Sequence, residues 1–201
     1  MGWVIVDALD TMMVMNLTDE VERARTWIAD TLDWDQDYEV SLFETTIRML
    51  GGLLSAHYLS GYDDVYLEKA VDLADRLLGG FESPTGIPYA SVNLKQRIGV
   101  QSNSDGGAST TSEVSTLQLE FKYLAQLTGE TLYWEKAEKI IEALEGNKAQ
   151  DGLVPIFVHP ETGLYTTKEI RLGSRGDSYY GTLNIDLANR RISPQAVSSD
   201  I

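Results

Sequence analysis

Cysteine is absent from these 201 residues, so neither a disulfide nor a thiolate metal site can hold the fold, and stability must come from an apolar core. Histidine is nearly absent as well. His57 reads as an ordinary helix residue and His159, beside Pro160, as a loop residue; two isolated imidazoles make no metal motif. Basic residues are few: 16 Lys and Arg stand against 31 Asp and Glu, a formal charge of −15, and the acids are spread along the chain. That balance disfavours nucleic acid and anionic membranes as partners. No apolar run approaches the ~20 residues of a membrane-spanning helix, and no basic-then-apolar leader precedes Trp3, so no targeting segment is expected within the chain. The glycine-rich segments lack a following Gly-Lys-Ser/Thr and no dinucleotide-type strand-loop-helix surrounds them, which disfavours nucleotide binding.

What is present is a 43% hydrophobic composition, enough for one domain with a sizeable core, and a single glycosylation sequon, Asn16-Leu17-Thr18, which matters only in a secretory compartment. The chain also repeats itself. Tyr58-Leu59 recurs as Tyr123-Leu124, and Tyr66-Leu67-Glu68-Lys69-Ala70 recurs as Tyr133-Trp134-Glu135-Lys136-Ala137. After each pair comes a β-prone, proline-containing segment, Gly86-Ile87-Pro88-Tyr89 and then Gly152-Leu153-Val154-Pro155. The unit reads as helix, tight turn, helix and a long loop with a hairpin, an α/α repeat occurring nearly twice.

Within the first helix of the unit, Phe43, Ile47, Leu50, Leu54 and Tyr58 form an apolar face, and Ser41, Glu44, Arg48, Gly52 and Ser55 a face of small or charged groups. Glu44 and Arg48 stand one turn apart in an otherwise apolar or small run. By contrast, Val65 to Leu78 and Leu132 to Leu144 carry charges around an apolar stripe and read as outer helices. Inner helices alternating with outer ones predict a ring whose centre is lined by the polar inner faces, with Glu44 and Arg48 facing the cavity. In the two glycine-rich loops, Asp105 or its Ser/Thr neighbours would cap the helix beginning near Glu113, and Asp177-Ser178 would cap the next. Trp27, Trp34 and Trp134 read as core residues.

A cavity holding two carboxylates suits glycoside cleavage, which needs one carboxyl group to protonate the leaving oxygen and another to activate water or attack carbon. Glu44 and Asp177 are the candidates. Arg48 could bond sugar hydroxyls, hold a second carboxylate or serve as a plain helix ion pair.

From Trp3 through Thr11, Phe43 to Leu54, Thr85 to Leu94, Asp105 to Ser109, Leu117 to Leu127, Asp151 to Phe157 and Gly173 to Tyr180, the chain resembles the class I α-1,2-mannosidases of glycoside hydrolase family 47. The resemblance implies an all-α fold with small β-hairpins, part of an (αα)7 barrel. It implies that Glu44 is the general acid, acting through a water, that Asp177 is a second acid, and that Asp7 and Arg48 line the same pocket. Arg175 would limit how many mannoses are trimmed and points to the endoplasmic reticulum type. The implied reaction is inverting removal of α-1,2-linked mannose from the high-mannose N-glycan, in N-glycan trimming and glycoprotein quality control, with calcium as cofactor. The implied setting is the lumen of the endoplasmic reticulum or Golgi, in a parent of type II membrane topology.

The departures carry expectations too. Residues 1–180 resemble the first part of the catalytic domain, whereas Gly181 stands where the family has a pocket glutamate, and 181–201 read as a tail outside the family pattern. The family's glutamate base, its calcium-ligating threonine and its disulfide cysteines are not found here. On that reading the chain is a fragment, weakly stable and inactive by itself. Two rival readings remain: a mannose-glycan-binding fragment without turnover, and a helical-repeat scaffold. An offset near 66 is roughly twice a 34-residue repeat, but unlike helices and long glycine-rich loops do not fit a compact solenoid.

Overall fold

The computed structural model describes residues 2–147 and 151–181. Short helices α1 (Trp3–Asp7) and α2 (Leu9–Val14) lead into α3 (Thr18–Asp30). Strand β1 (Glu39–Ser41) runs directly into α4 (Leu42–Thr45), a π-helical turn (Thr46–Leu50) and α5 (Gly51–Leu59), which together form the first inner helix. Its outer partner is α6 (Asp64–Leu77). Then follow β2 (Ser91–Asn93), β3 (Ile98–Val100), β4 (Ser109–Thr110), α7 (Thr111–Ser115), α8 (Gln118–Thr128), the outer helix α9 (Thr131–Gly146) and β5 (Phe157–Val158). The strands form a three-stranded antiparallel sheet in the order β1-β2-β3 and a two-stranded antiparallel pair of β4 with β5.

The architecture is the expected one, mostly helical with small antiparallel sheets, and its outer helices show why the sequence repeat exists. Tyr66, Ala70, Leu73, Ala74 and Leu77 of α6 are buried, and so are Tyr133, Ala137, Ile140, Ile141 and Leu144, which stand at the matching positions of α9. One heptad-like stripe, used twice, seals each outer helix against its inner partner while charged residues face outward. Asp63 caps α6 by accepting from the Val65 amide at 3.1 Å and also pairs with Arg25. A single core of buried residues runs through both units.

Several local expectations differ. The first hairpin begins two residues beyond Gly86–Tyr89, where Ser91 pairs with Val100, because Pro88 lacks the amide a ladder needs. The second proline-containing segment contributes only an isolated bridge, Pro155 with Ile170, before β5. The small-residue face of the inner helix does not all line a hollow. A Cβ on Gly52 would lie 2.7 Å from the Val6 carbonyl oxygen, so that glycine is where α5 receives the backbone of α1. The apolar face is also not uniform: Leu50 and Leu54 are buried, Phe43 and Ile47 half-buried and Tyr58 exposed. The π turn widens the backbone between the two halves of the helix, so one 3.6-residue stripe cannot run through it.

Trp34 is buried, its indole N–H donating to the Lys69 carbonyl at 3.0 Å. Trp27 packs partly buried against the core. Trp134 is exposed on α9 beneath the Lys122 ammonium, 4.9 Å from the ring, a cation–π contact and not a core position. His57 is buried, with Nδ1 3.1 Å from the Asp63 carbonyl, as a helix residue would be; His159 is in a loop, its Nδ1 accepting from the Glu161 amide. Of the tail expected from Gly181, everything after Gly181 lies outside the described residues.

Candidate active site

Three of the five sequence candidates meet directly. Arg48 Nε donates to Glu44 Oε2 at 2.6 Å and its Nη1 reaches Asp7 Oδ2 at 3.4 Å, so one guanidinium joins the inner helix to the C-terminus of α1. Its pKa is pushed up, first by the hydrogen bond to Glu44 and then by that carboxylate's charge. The pair is not buried: the side chains of Glu44, Arg48 and Asp7 are 42%, 42% and 40% exposed. The helix run around them is apolar because its other side is core, while this edge opens to solvent. A nearby groove of ≈ 440 Å³ is lined by Thr11, Val14, Ser55, Tyr58 and Leu59 among others; neither Glu44 nor Asp177 belongs to its wall.

Local chemistry aims Glu44. Ser41 and Glu44 have the spacing of a capping box, and the Glu44 amide donates to Ser41 Oγ at 3.2 Å. In a closed box the glutamate would turn back to the cap's own amide. Here it turns forward to Arg48, which leaves Oε1 for water or a sugar hydroxyl.

The same arrangement recurs one unit later and supplies a residue the sequence reading missed. Of the expected caps, Asp105 or a Ser/Thr neighbour, it is Thr110 that caps α7: Thr110 Oγ1 accepts from the Glu113 amide at 3.2 Å. Asp105 instead accepts hydroxyl hydrogen bonds from Ser102 at 2.7 Å and Ser104 at 2.9 Å. Glu113 is half-buried, and burial raises its pKa; the Thr110 bond opposes this, the charges of Asp105 and Glu44 add to it, and Arg175 opposes it. Glu113 thus stands within electrostatic reach of both Glu44 and Arg175. The signal was available as Ser41-x-x-Glu44 repeated in Thr110-x-x-Glu113, but a capping pattern explains itself and hides a second use.

Asp177 and Arg175 lie on the loop that follows β5. Asp177 Oδ1 accepts from Ser112 Oγ at 3.1 Å and from the Ser178 amide at 2.8 Å, so it serves the helical start at 177–181 while being tied to α7. The Arg175 carbonyl accepts from the Ser112 amide at 3.0 Å, a second bond between the same two segments. Arg175 itself has a positive φ of 74° and lays its guanidinium 4.9 Å from the Phe157 ring centre. Gly176 makes this turn possible, since a Cβ there would sit 2.3 Å from the Arg171 carbonyl oxygen. No hydrogen bond joins Glu44 and Asp177; α7 is linked to Asp177 through Ser112, and its Glu113 feels the Glu44 charge. Among the described residues no group of three or more His, Asp or Glu side chains is placed to hold a metal ion, and no helix is long and apolar enough to cross a membrane.

Comparison with known proteins decides the family. The family model for glycosyl hydrolase family 47 matches residues 1–187. The chain belongs to that family. Relatives in family 47 include the mannosyl-oligosaccharide 1,2-alpha-mannosidase of Candida albicans, 61% identical over 90% of this chain and 32% of its own length. The endoplasmic reticulum mannosyl-oligosaccharide 1,2-alpha-mannosidases of Saccharomyces cerevisiae and Homo sapiens are 51% and 44% identical, each over 90% of this chain and over 36% and 26% of their own lengths. The family 47 chain therefore spans about a third of the curated relatives it matches. Among solved structures, an alpha-1,2-mannosidase from Trichoderma reesei superposes with a TM-score of 0.80 at 27% identity, covering 91% of this chain and 41% of that one. The helix pairs described above are thus those of a family 47 fold.

Proposed function

We propose that this chain supplies the first part of the sugar-cleaving site of a 1,2-α-mannosidase that trims the high-mannose N-glycan in the endoplasmic reticulum. The observation that carries the reading is the Asp7–Arg48–Glu44 network, half-open to solvent, with Glu113 within reach of the Glu44 and Arg175 charges and Asp177 bonded to the neighbouring Ser112, in a chain of this family. The relatives' names give the substrate class; the network gives the means to hold it. Carboxylates and a guanidinium bond the vicinal hydroxyls of a sugar, and Arg48, held by two carboxylates, presents a fixed donor.

For an inverting cleavage, Glu44 acts as the acid through a water at its free Oε1, delivering a proton to the leaving oxygen, and a carboxylate on the opposite side of the ring activates the attacking water. Asp177, with Oδ1 engaged by Ser112 and Ser178, has Oδ2 left to act as the second acid of this half of the site. Arg175, laid against the Phe157 ring, limits how many mannoses are trimmed. Calcium, which the resemblance implies, needs six to eight oxygen ligands, and the described residues offer no such cluster; no step here passes through it. By this reading the chain alone binds glycan weakly and does not turn it over.

The test is a full-length family 47 enzyme containing these residues, assayed on an α-1,2-linked mannobiose. Glu44→Gln should reduce kcat by at least about 10²-fold, the usual contribution of a positioned acid, with the far-UV spectrum unchanged. Wild-type turnover in the Gln variant, or mannose release by the purified 201-residue chain, would refute it.

A further inference from the structure

Glu120 is the acid that the proposed chemistry does not use and that the fold does not explain. It lies on α8 with its carboxylate directed at the inner helix. Glu120 reaches the inner helix at Gly51: its Oε1 lies 3.6 Å and its Cγ 3.7 Å from where a Cβ on that glycine would stand, ordinary van der Waals distance. The Thr46 carbonyl oxygen lies 3.6 Å from the same point. Thr46 opens the π turn, and its carbonyl accepts the Gly51 amide five residues on, the hydrogen bond that makes the turn π instead of α. Arg48 sits at the middle of this turn.

The other oxygen, Glu120 Oε2, is sealed from solvent and has no hydrogen-bond partner among the described residues. A sealed, unpaired carboxylate is costly, whereas a carboxylic acid in the same place can donate its proton to a carbonyl. Burial pushes the Glu120 pKa up to about 7, opposed only by its own backbone amide. Among the titratable and charged groups on the elements packed against α8, Arg48 is engaged with Glu44 and Asp7, His57 lies beside the Asp63 carbonyl, Tyr133 bonds Asp75, Glu138 pairs with Lys122 and Lys136 with Glu82; Tyr58 of α5 is exposed.

We propose that Glu120 is a positioning residue for the Glu44–Arg48 pair: while it carries a proton its carboxyl group holds the π turn at Gly51, and its ionisation loosens that turn. A neutral acid beside Thr46 can bond the carbonyl oxygen; an anion beside it is repelled, and the wide backbone of a π turn is where such a push is absorbed. The consequence falls on Arg48, whose contact with Asp7 depends on where the turn lies. This deepens the reading of the Glu44–Arg48 pair as part of a sugar site and rests on it for its functional meaning, but the coupling itself is a property of this chain.

The test is therefore made first without activity. In an isotope-labelled full-length family 47 enzyme containing these residues, the glutamate carboxyl carbons and the Arg48 Nε–H group are followed by NMR from pH 5 to pH 9. One glutamate resonance should titrate near neutrality and vanish in Glu120→Gln, and the Arg48 Nε–H shift should follow the same midpoint in the wild type and become flat in the Gln variant. If no glutamate titrates above pH 6, or if Arg48 is insensitive to pH across that midpoint, the proposal fails whatever the enzyme does. In a full-length enzyme, Glu120→Gln, which keeps the shape and the donor, should hold kcat within about threefold at pH 6 and extend activity at least one pH unit further into the alkaline range. Glu120→Met, which keeps the volume and removes the donor, should lose at least tenfold in kcat at pH 6. Identical pH profiles for wild type and Glu120→Gln would overturn the positioning role; turnover by neither, with the NMR coupling intact, would count against the mannosidase reading and leave the coupling standing.

Discussion

Two glycines in succession, Gly51 and Gly52, show how much depends on the surroundings of one residue. A methyl group on Gly51 would meet Glu120 and Thr46 at ordinary van der Waals distance, whereas on Gly52 it would lie 2.7 Å from the Val6 carbonyl oxygen. Gly51→Ala should therefore be neutral or stabilising by up to about 1 kcal/mol, the gain in helix propensity. Gly52→Ala should cost on the order of 1–3 kcal/mol, as forced overpacking does, because backbone and not a flexible side chain must move. Chemical denaturation of the two variants checks the contrast, and equal midpoints would contradict it. Glu113 gives a second prediction at this scale. Its pKa is raised chiefly by burial, so its proton stabilises the folded state below the unfolded value, and that stability is lost as pH rises through the folded value. Glu113→Gln should then melt higher than wild type at alkaline pH and no higher at pH 4, and the reverse order would show that Glu113 is better solvated than its position implies.

The element scale shows what the sequence made legible and what it did not. Outer helices were readable to within a residue or two because their apolar stripe is regular and repeated: Tyr66 and Tyr133, Ala70 and Ala137, Leu73 and Ile140 are all buried. The inner helix was less legible, because a π turn, which no propensity announces, breaks its period between Thr46 and Leu50. Asp7, Glu44 and Arg48 were named from the residues and the family resemblance, and the structure brings them into contact. Glu113 was hidden by serving as a capping position, and Glu120 by standing in what looks like an ordinary helix. Thr110 capping α7 is likewise a matter of backbone geometry that Asp105, five positions earlier in the glycine-rich loop, could have claimed on composition alone. Thr110→Ala should cost about 1 kcal/mol by loss of the cap. It should also change glycan affinity in a full-length enzyme, because Glu113 and Ser112 stand on the capped turn; a stability loss without any binding change would detach α7 from the site.

At the scale of the whole molecule, much apolar surface is exposed, and Val14, Met15, Tyr58 and Leu59 share the wall of one groove. Val4, Val14, Met15, Tyr58, Leu59 and Tyr62 are all exposed, Val4 and Val14 by more than three quarters. An apolar surface of that extent favours association. The purified 201-residue chain should therefore self-associate at micromolar concentration and melt with low cooperativity, as sedimentation and calorimetry would show; a monomeric, two-state melt would contradict this.

The central claim is that Glu44, held by Arg48 and Asp7, is the acid of a mannose-trimming site. Its most direct test is mannose release from α-1,2-linked mannobiose by a full-length family 47 enzyme carrying Glu44→Gln, with substrate affinity measured alongside. The expected result is turnover lower by about 10²-fold or more with affinity within a few-fold of wild type. Turnover at the wild-type rate would contradict the assignment.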